Sequence, residues 1–376
     1  MRGPALRPIA IAAGGTGGHL FPAEALAAEL SARGERIVLF TDARSAAFDS
    51  PAFASAERFV LKGEGIAGRN ILRAARGAAL LAAGTLTARG LLKRLDASAV
   101  VGFGGYPAIP PALAALTLGA RKPALILHEQ NAVLGRANRA LATRADVLAL
   151  AYEDTARVPQ GARTQWVGNP VRPALAALAG EGYPPADGAL RLLVTGGSLG
   201  ARIFADLVPA AIAALPEGIR ARLLIAQQCR VEDLERVRAA YSQTGIPVEL
   251  SPFFSDIAGR LAGAHLVIAR AGASTVAEIA CAGRPSLLIP LPSAIDNHQV
   301  ANARALESVG AALVLAQGAT TPARLAQLLA EWLGSPERLA QAARAAASLA
   351  RPQAARALAD LVLAHAARAN SLQETR

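Results

Sequence analysis

The stretch Pro8-Ile9-Ala10-Ile11-Ala12-Ala13-Gly14-Gly15-Thr16-Gly17-Gly18-His19-Leu20-Phe21-Pro22 decides the fold. Pro8–Ala13 is a short apolar run bounded by glycine, which is how a strand buried on both faces reads. Four glycines then fill five positions, and a helical Ala/Leu pattern runs from Pro22 to Arg33. In a strand–turn–helix of this kind, backbone N–H groups can approach an anion, and the helix N-terminus adds favourable partial charge. The turn is not a dinucleotide fingerprint: Gly15 and Gly17 fit G-x-G-x-x-G, but Leu20 stands where the third glycine belongs. Nor is it a P-loop, because no Lys-Ser/Thr pair follows the glycines. A phosphate or sugar site of another kind remains, against the plainer reading of a tight packing turn.

Working outward, short apolar runs alternate with Ala-rich helical stretches. Strands are expected at Arg36–Thr41, Ala99–Phe103, Ala124–His128, Asp146–Ala151 and Gln165–Gly168, with helices over Pro110–Leu118 and Val133–Thr143. A segment rich in Pro and Gly follows. The pattern then restarts with strand Arg191–Thr195, a second glycine turn and helix Ile203–Leu215. Further strands are expected at Ala221–Ala226, Pro247–Leu250, His265–Ala269, Ser286–Pro290 and Ala311–Leu315. Pro322–His365 reads as helical, and Asn370–Arg376 as a frayed tail. Such alternation means parallel sheets with helices on both faces. The expected division is a first α/β domain at 1–168, a linker at 169–189 and a second α/β domain at 190–345. A C-terminal helix and tail at 346–376 would pack back towards the first domain.

The second turn, Gly196-Gly197-Ser198-Leu199-Gly200-Ala201, also misses the dinucleotide spacing, and the Ser198 hydroxyl can donate to a phosphate oxygen. A third cluster, Arg270-Ala271-Gly272-Ala273-Ser274-Thr275-Val276-Ala277-Glu278, passes from a strand into a helix. Its small residues can meet a second phosphate and Glu278 can take two ribose hydroxyls, although Ser or Thr with a following Glu is also a simple capping pattern. Open α/β sheets bind ligands at the carboxyl ends of their strands. Two such turns facing each other across a cleft suit a two-substrate transferase.

Composition sets the outer limits. At 376 residues and 53% hydrophobic content the chain supports large cores, which excludes disorder and removes the need for disulfide or metal staples. Cys229 and Cys281 lie far apart, which suits a reducing compartment. The net charge of +11 attracts nucleic acid, anionic lipid or phosphorylated ligands. Nucleic acid is disfavoured by 4% aromatic content and by the absence of an RNA-binding signature. The apolar run in Met1–Ala13 is too short for a signal peptide, and Gly77–Thr87 is too short to span a bilayer. No Asp-x-Asp occurs and the five histidines show no ligand spacing, so neither metal nor cofactor is expected.

Seven motifs, in this order and spacing, closely resemble the MurG family of bacterial cell-wall glycosyltransferases. They are Gly14–His19 with Phe21-Pro22, Gly102-Phe103-Gly104-Gly105-Tyr106, His128-Glu129-Gln130-Asn131, Gly168-Asn169-Pro170-Val171-Arg172, Gly196–Ala201, Arg270–Glu278 and Asp296-Asn297-His298-Gln299. The resemblance covers about Pro8 to His365. It implies a GT-B fold, with two Rossmann-like doubly wound domains whose parallel sheets face a cleft. It implies inverting, metal-independent transfer of N-acetylglucosamine from its UDP donor to the muramyl C4 hydroxyl of lipid I, giving lipid II on the cytoplasmic face of the inner membrane. Cell-wall synthesis and division proteins are the implied partners.

By the same resemblance, Thr16, Gly17, Gly18, Asn131 and Arg172 contact the donor from the first domain and the interdomain segment. Ser198 contacts phosphate, Phe254 backs onto uracil through its main chain, and Ala273, Ser274, Thr275, Val276, Ala277 and Glu278 hold pyrophosphate and ribose. Gln299 reads the sugar hydroxyls. Leu199 replaces a frequent Gln and Phe254 a smaller aliphatic residue. An inverting transfer needs a base. His19 is one candidate, with helix capping or acceptor positioning as its alternative role. Glu129 is a second candidate base, Tyr106 helps to place the acceptor, and His128 packs locally. Ile66–Lys93 interleaves Arg69, Arg73, Arg76, Arg89 and Lys93 with Ile71, Leu72, Leu80, Leu81, Leu86, Leu91 and Leu92. With a lipid-borne acceptor, that pattern favours an anionic membrane surface over an ordinary core-facing helix. The rival functions are a GT-B enzyme with another acceptor and a non-catalytic sugar-nucleotide binder. A nicotinamide dehydrogenase is excluded by the failed glycine spacings.

Overall fold

The computed structural model describes residues 7–48, 50–61, 71–119, 122–197 and 200–374. The chain divides into two units, Met1–Arg172 with Gln353–Arg376 and Pro173–Pro352. The segment set apart in the sequence at 169–189 is thus shared, with its first four residues in unit 1.

Unit 1 runs β1 (Ile9–Ala12), α1 (Gly17–Ala32), β2 (Ile37–Thr41), β3 (Glu57–Val60), α2 (Ile71–Leu95), β4 (Ala99–Gly102), α3 (Gly105–Leu116), β5 (Ala124–Glu129), α4 (Arg136–Leu141), β6 (Val147–Leu150) and β7 (Thr164–Trp166). Its seven strands are all parallel, in the order β3-β2-β1-β4-β5-β6-β7. Alternate residues of the five inner strands, β2, β1, β4, β5 and β6, feed two cores. Ile9, Ile11, Leu39, Val101 and Ile126 pack with α1, while Ala10, Val38, Phe40, Val100 and Leu125 pack with the helices of the other face. Burial on both sides is why these strands read as unbroken apolar runs.

Unit 2 runs α5 (Pro173–Ala176), β8 (Leu190–Thr195), α6 (Arg202–Ala213), α7 (Glu217–Arg220), β9 (Leu223–Gln228), α8 (Leu234–Ser242), β10 (Val248–Ser251), α9 (Ile257–Gly263), β11 (Leu266–Ala269), α10 (Ala273–Ala282), β12 (Ser286–Leu288), α11 (His298–Ser308), β13 (Ala312–Val314), α12 (Pro322–Leu333) and α13 (Pro336–Ser348). The parallel order β10-β9-β8-β11-β12-β13 repeats the doubly wound plan. The chain then returns to unit 1 as α14 (Ala354–Glu374), which lies on α1, β4 and β5 and places Leu358, Ala359 and Val362 in that core. Cys229 and Cys281 are buried and unpaired with each other.

Four differences from the sequence reading have physical causes. Helix α1 opens at Gly17, not Pro22, so the later glycines form its first turn with the proline inside. Likewise α3 opens at Gly105 and carries Pro110 and Pro111 within it, held by packing on α2 and β4; tertiary contact overrides the tendency of proline to open a helix. β3 was not expected because it is a half-exposed edge strand whose alternation includes Glu57 and Arg58. The C-terminal stretch is three helices. Thr321 and Ser335 cap α12 and α13 through their hydroxyls with proline at the next position, and α14 continues to Glu374 through the expected tail.

Gly196 at the end of β8 has no room for a side chain, since an added Cβ would lie 2.2 Å from the Ala201 nitrogen and 2.5 Å from the Gly200 carbonyl carbon. Gly196→Ala is therefore expected to destabilise unit 2 by at least about 3 kcal/mol, beyond ordinary overpacking. Urea unfolding followed through the buried Trp332 of that unit checks it; an unchanged midpoint would show that the turn can open without cost.

Candidate functional site

In a doubly wound sheet the loops part where the chain reverses its direction of growth. In unit 1 that point lies between β1 and β4, and in unit 2 between β8 and β11. All three glycine or small-residue clusters leave from those four strands.

In unit 1, the turn after β1 leads through Thr16, the N-cap of α1, whose side chain makes no capping bond. The opening N–H groups of a helix, here those of Gly17 and Gly18, have no intrahelical acceptor and suit an anion. The turn is stapled from the end of β2: the Gly15 N–H donates to Ser45 Oγ at 2.8 Å, and the Ser45 N–H donates to Asp42 Oδ1 at 3.0 Å. Arg44 donates to the other Asp42 oxygen at 2.9 Å. Hydrogen bonds from Ser45 and Arg44 hold the Asp42 carboxyl below its usual range despite burial, which acts the other way.

His19 packs against the loop after β4. A Cβ on Gly105 would lie 3.2 Å from His19 Nε2 and crowd the ring, and the φ of +68° there favours glycine. Its Nδ1 lies 3.0 Å from Gln130 Oε1. Gln130 Nε2 lies 3.0 Å from His128 Nδ1, and His128 Nε2 lies 3.1 Å from the Gly168 carbonyl oxygen. His128, Glu129 and Gln130 are all buried. Glu129 is saturated: Oε1 accepts from the backbone and side chain of Asn131 at 3.1 and 2.9 Å, and Oε2 accepts from the Gly135 N–H at 2.9 Å and Asn138 Nδ2 at 3.0 Å. A carboxylate with four donors is a loop organiser in this geometry, not an open proton acceptor. Tyr106 lies in the first turn of α3, and the Arg172 guanidinium sits 4.5 Å over the Phe21 ring.

In unit 2, Ser198 and Leu199 lie outside the described residues. Gln228, at the end of β9, staples the second turn. Its Oε1 accepts from Thr195 Oγ1 at 3.0 Å and the Gly196 N–H at 2.9 Å, and its Nε2 donates to the carbonyls of Gly197 at 2.9 Å and Pro252 at 3.1 Å. Phe254, two residues on, is buried under the Arg260 guanidinium at 4.0 Å. After β11, Gly272 caps α10 without a side-chain bond, and Glu278 is the sixth residue of that helix. A capping box needs a hydroxyl at the cap and Glu three positions later; the simple capping reading is thereby excluded. Ser274 Oγ is buried with no hydrogen-bond partner among the described residues, at the helix end where an anion would supply one.

Gln299 lies in the first turn of α11, which follows Asp296 and Asn297, both in the left-handed region at φ +55° and +54°. Its Oε1 accepts from the Leu291 N–H at 2.9 Å, and buried Arg270 donates to the carbonyls of Ile289 at 2.9 Å and Pro290 at 3.1 Å. The sequence reading missed Gln130, Asn138, Gln228 and the supporting role of Arg270. Gln130 and Arg270 lay inside quoted motifs, whereas Asn138 and Gln228 carry no local signal. Of the membrane-surface residues, Arg69 and the Arg73 side chain lie outside the description, Arg76, Leu86, Arg89 and Lys93 are exposed, and Leu92 turns into the core.

Two Rossmann-like units with glycine and small-residue turns at their switch points have the build of a GT-B glycosyltransferase. The glycosyltransferase family 28 N-terminal domain matches residues 9–149 and its C-terminal domain residues 191–362. The chain is 57% identical over 350 residues to the UDP-N-acetylglucosamine–N-acetylmuramyl-(pentapeptide) pyrophosphoryl-undecaprenol N-acetylglucosamine transferase of Granulibacter bethesdensis, covering 93% of this chain and 91% of that one. It is 57% identical to the equally named protein of Acidiphilium cryptum, covering 93% and 94%. The crystal structure of Acinetobacter baumannii MurG aligns at TM-score 0.75 and 31% identity over 95% of this chain and 99% of that one. The calicheamicin glycosyltransferase CalG4, 19% identical at TM-score 0.65, shares the fold. The chain belongs to glycosyltransferase family 28, and within it to the MurG family.

Burial lowers His128 from its ordinary 6.5 to about 4, although its hydrogen bond to the Gly168 carbonyl acts the other way. The folded state thus holds this ring neutral while the unfolded chain protonates it below pH 6.5. Its stabilising contribution is complete above 6.5 and is lost as pH falls towards 4, about 2 kcal/mol of it by pH 5. Hydrogen exchange of the β5 amides in the full chain, corrected for intrinsic rates, is expected to show this loss, and His128→Phe to flatten the slope. An equal slope in both proteins would assign the acid sensitivity elsewhere.

Proposed function

We propose that this chain transfers N-acetylglucosamine from UDP-N-acetylglucosamine to the muramyl C4 hydroxyl of lipid I, giving lipid II with inversion at the anomeric carbon. The observation that carries the reading is 57% identity over 93% of the chain to a transferase named for that donor and acceptor. An anion-accepting turn at each switch point supports it. In unit 2, the N-terminus of α10 takes the donor pyrophosphate with Ser274 and its neighbours Ala273, Thr275, Val276 and Ala277. Ser198 adds a phosphate contact from the second turn. Glu278 takes the ribose hydroxyls, the main chain at Phe254 meets uracil, and the Gln299 amide reads the sugar while its oxygen anchors Leu291. Thr16, Gly17, Gly18, Asn131 and Arg172 are assigned to the donor by the family resemblance.

The acceptor oxygen forms the new bond to C1 as the bond to UDP breaks. His19 takes the hydroxyl proton, and backbone N–H groups meet the charge that develops on UDP. Tyr106 helps to place the acceptor, and Glu129 holds the Asn131 loop. No step calls on a metal. The enzyme works as a peripheral protein at the cytoplasmic face of the inner membrane, beside other cell-wall synthesis and division proteins. Among the described residues no helix is long and apolar enough to cross a membrane. Among the described side chains of helix α2, Gly77, Gly84, Ala88 and Leu92 are buried, and Leu86 is 70% exposed one turn before the exposed Arg89. An apolar residue among cations suits docking on anionic lipid.

Radiolabelled transfer to a lipid I analogue, with EDTA present, is expected to yield product. His19→Ala is expected to lower kcat by about 10²–10⁴-fold while UDP-sugar binding persists. Binding without product in the wild type would point to another acceptor or a non-catalytic binder. Charge reversal at Arg73 and Arg76 together is expected to weaken association with anionic vesicles at least about 10-fold; equal binding would remove α2 as the docking surface.

A further inference from the structure

We propose that Gln130 and His128 are positioning residues that fix His19 in the Nδ1–H tautomer, so that Nε2 is its basic nitrogen. The argument starts at the buried end of the chain of contacts. The Gly168 carbonyl can only accept, so the His128 nitrogen 3.1 Å away, Nε2, carries the proton. In a neutral ring the other nitrogen then accepts. His128 Nδ1 therefore takes a hydrogen bond from Gln130 Nε2 at 3.0 Å, and the same amide group also reaches the His128 carbonyl at 3.1 Å. The amide orientation is thus set twice over, by two acceptors on one residue. Its oxygen must face His19 Nδ1, 3.0 Å away, and that nitrogen must donate.

Every link follows from the one before it, and the anchor is a backbone carbonyl that cannot change role. Asn138 Nδ2, donating to the His128 carbonyl at 3.0 Å, ties the middle of the chain to α4. Burial holds His128 in the neutral form that the sequence of links requires. A neutral histidine in water favours the opposite tautomer, with the proton on Nε2. The contact chain inverts that preference, as the hydrogen bond made by one ring nitrogen sets the state of the other. His19 Nε2 lies on the side of the ring next to the Gly104–Gly105 loop, where a Cβ on Gly105 would come within 3.2 Å of it.

This rests on the reading of His19 as the base, and the test separates the two. The full chain carrying ¹⁵N-histidine is examined by two-bond ¹⁵N–¹H correlation at a pH where His19 is neutral, with His19→Ala giving the assignment. The wild type is expected to show a pyrrole-like Nδ1 and a pyridine-like Nε2 at His19. At His128 it is expected to show the reverse. An Nε2–H tautomer at His19 in the wild type overturns the proposal with no variant needed. Gln130→Leu is expected to return His19 to the solution preference and to lower kcat about 10- to 100-fold, with KM for UDP-N-acetylglucosamine little changed. Gln130→Glu keeps an acceptor facing His19 and is expected to keep its tautomer. Loss of the tautomer in Gln130→Glu, or its retention in Gln130→Leu, counts against the proposal. A tautomer change in Gln130→Leu with kcat unaltered upholds the contact chain and removes His19 as the base.

Discussion

Everything at the candidate site depends on one topological constraint. A parallel sheet covered on both faces by helices offers polar ligands only the carboxyl ends of its strands, and there most fully where neighbouring connections turn to opposite faces. In this chain that position falls beside β1 and β4 in one unit and beside β8 and β11 in the other. The residues at those four strand ends must therefore supply an open turn, a helix N-terminus and polar side chains in a few positions. They do so after strands that are almost wholly buried. The apolar runs are thus part of the site's construction, since they set where each turn begins.

The same constraint explains why so many polar groups are buried in unit 1. At the end of β5, His128, Glu129 and Gln130 are each 2% exposed or less, a burial that is unfavourable unless every donor and acceptor is met. They are met, by Asn131, Asn138, Gly135, Gly168 and His19. A saturated network of this kind has few alternative arrangements, because changing one partner leaves another unsatisfied. Rigidity of the strand end is then a consequence of its polarity, and it is what allows a neutral amide to dictate the state of a ring on a different element.

Legibility from sequence followed the physics of each feature. The central strands were plain because two-faced burial forces an apolar run whatever the tertiary details. The caps at Thr321 and Ser335 are local chemistry, a hydroxyl followed by proline, which the reading of Pro322–His365 as one helical stretch passed over. Helix starts at Gly17 and Gly105 were not legible, because the first turn is held by packing and by the strand before it while proline and glycine argue the other way. Edge strand β3 was lost for the opposite reason: half exposed, it has no apolar run to show. At the site, glycine turns and small-residue helix starts announce themselves by composition. Asn138 and Gln228 do not, since an amide on a helix or at a strand end reads as a surface residue until its neighbours from distant elements are known.

The two units also differ in how they staple their turns, and the difference bears on which anion each suits. In unit 1 the staple is a carboxylate: Asp42 holds Ser45, which holds Gly15. Its negative charge sits just behind the turn, and Arg44 offsets it while remaining 74% exposed. In unit 2 the staple is the neutral amide of Gln228, which brings no charge to the second turn. The N-terminus of α10 likewise opens on a glycine cap with no acidic residue in its first turn. An anion there meets the full partial charge of the helix end and backbone, undiminished by a neighbouring carboxylate. Within the proposed function, that supports the assignment of the nucleotide diphosphate, whose charge grows as the sugar leaves, to unit 2. Under the proposed function, unit 1, with a carboxylate behind its turn, is left the lesser donor contacts of Thr16, Gly17 and Gly18 and presents His19 to the acceptor hydroxyl.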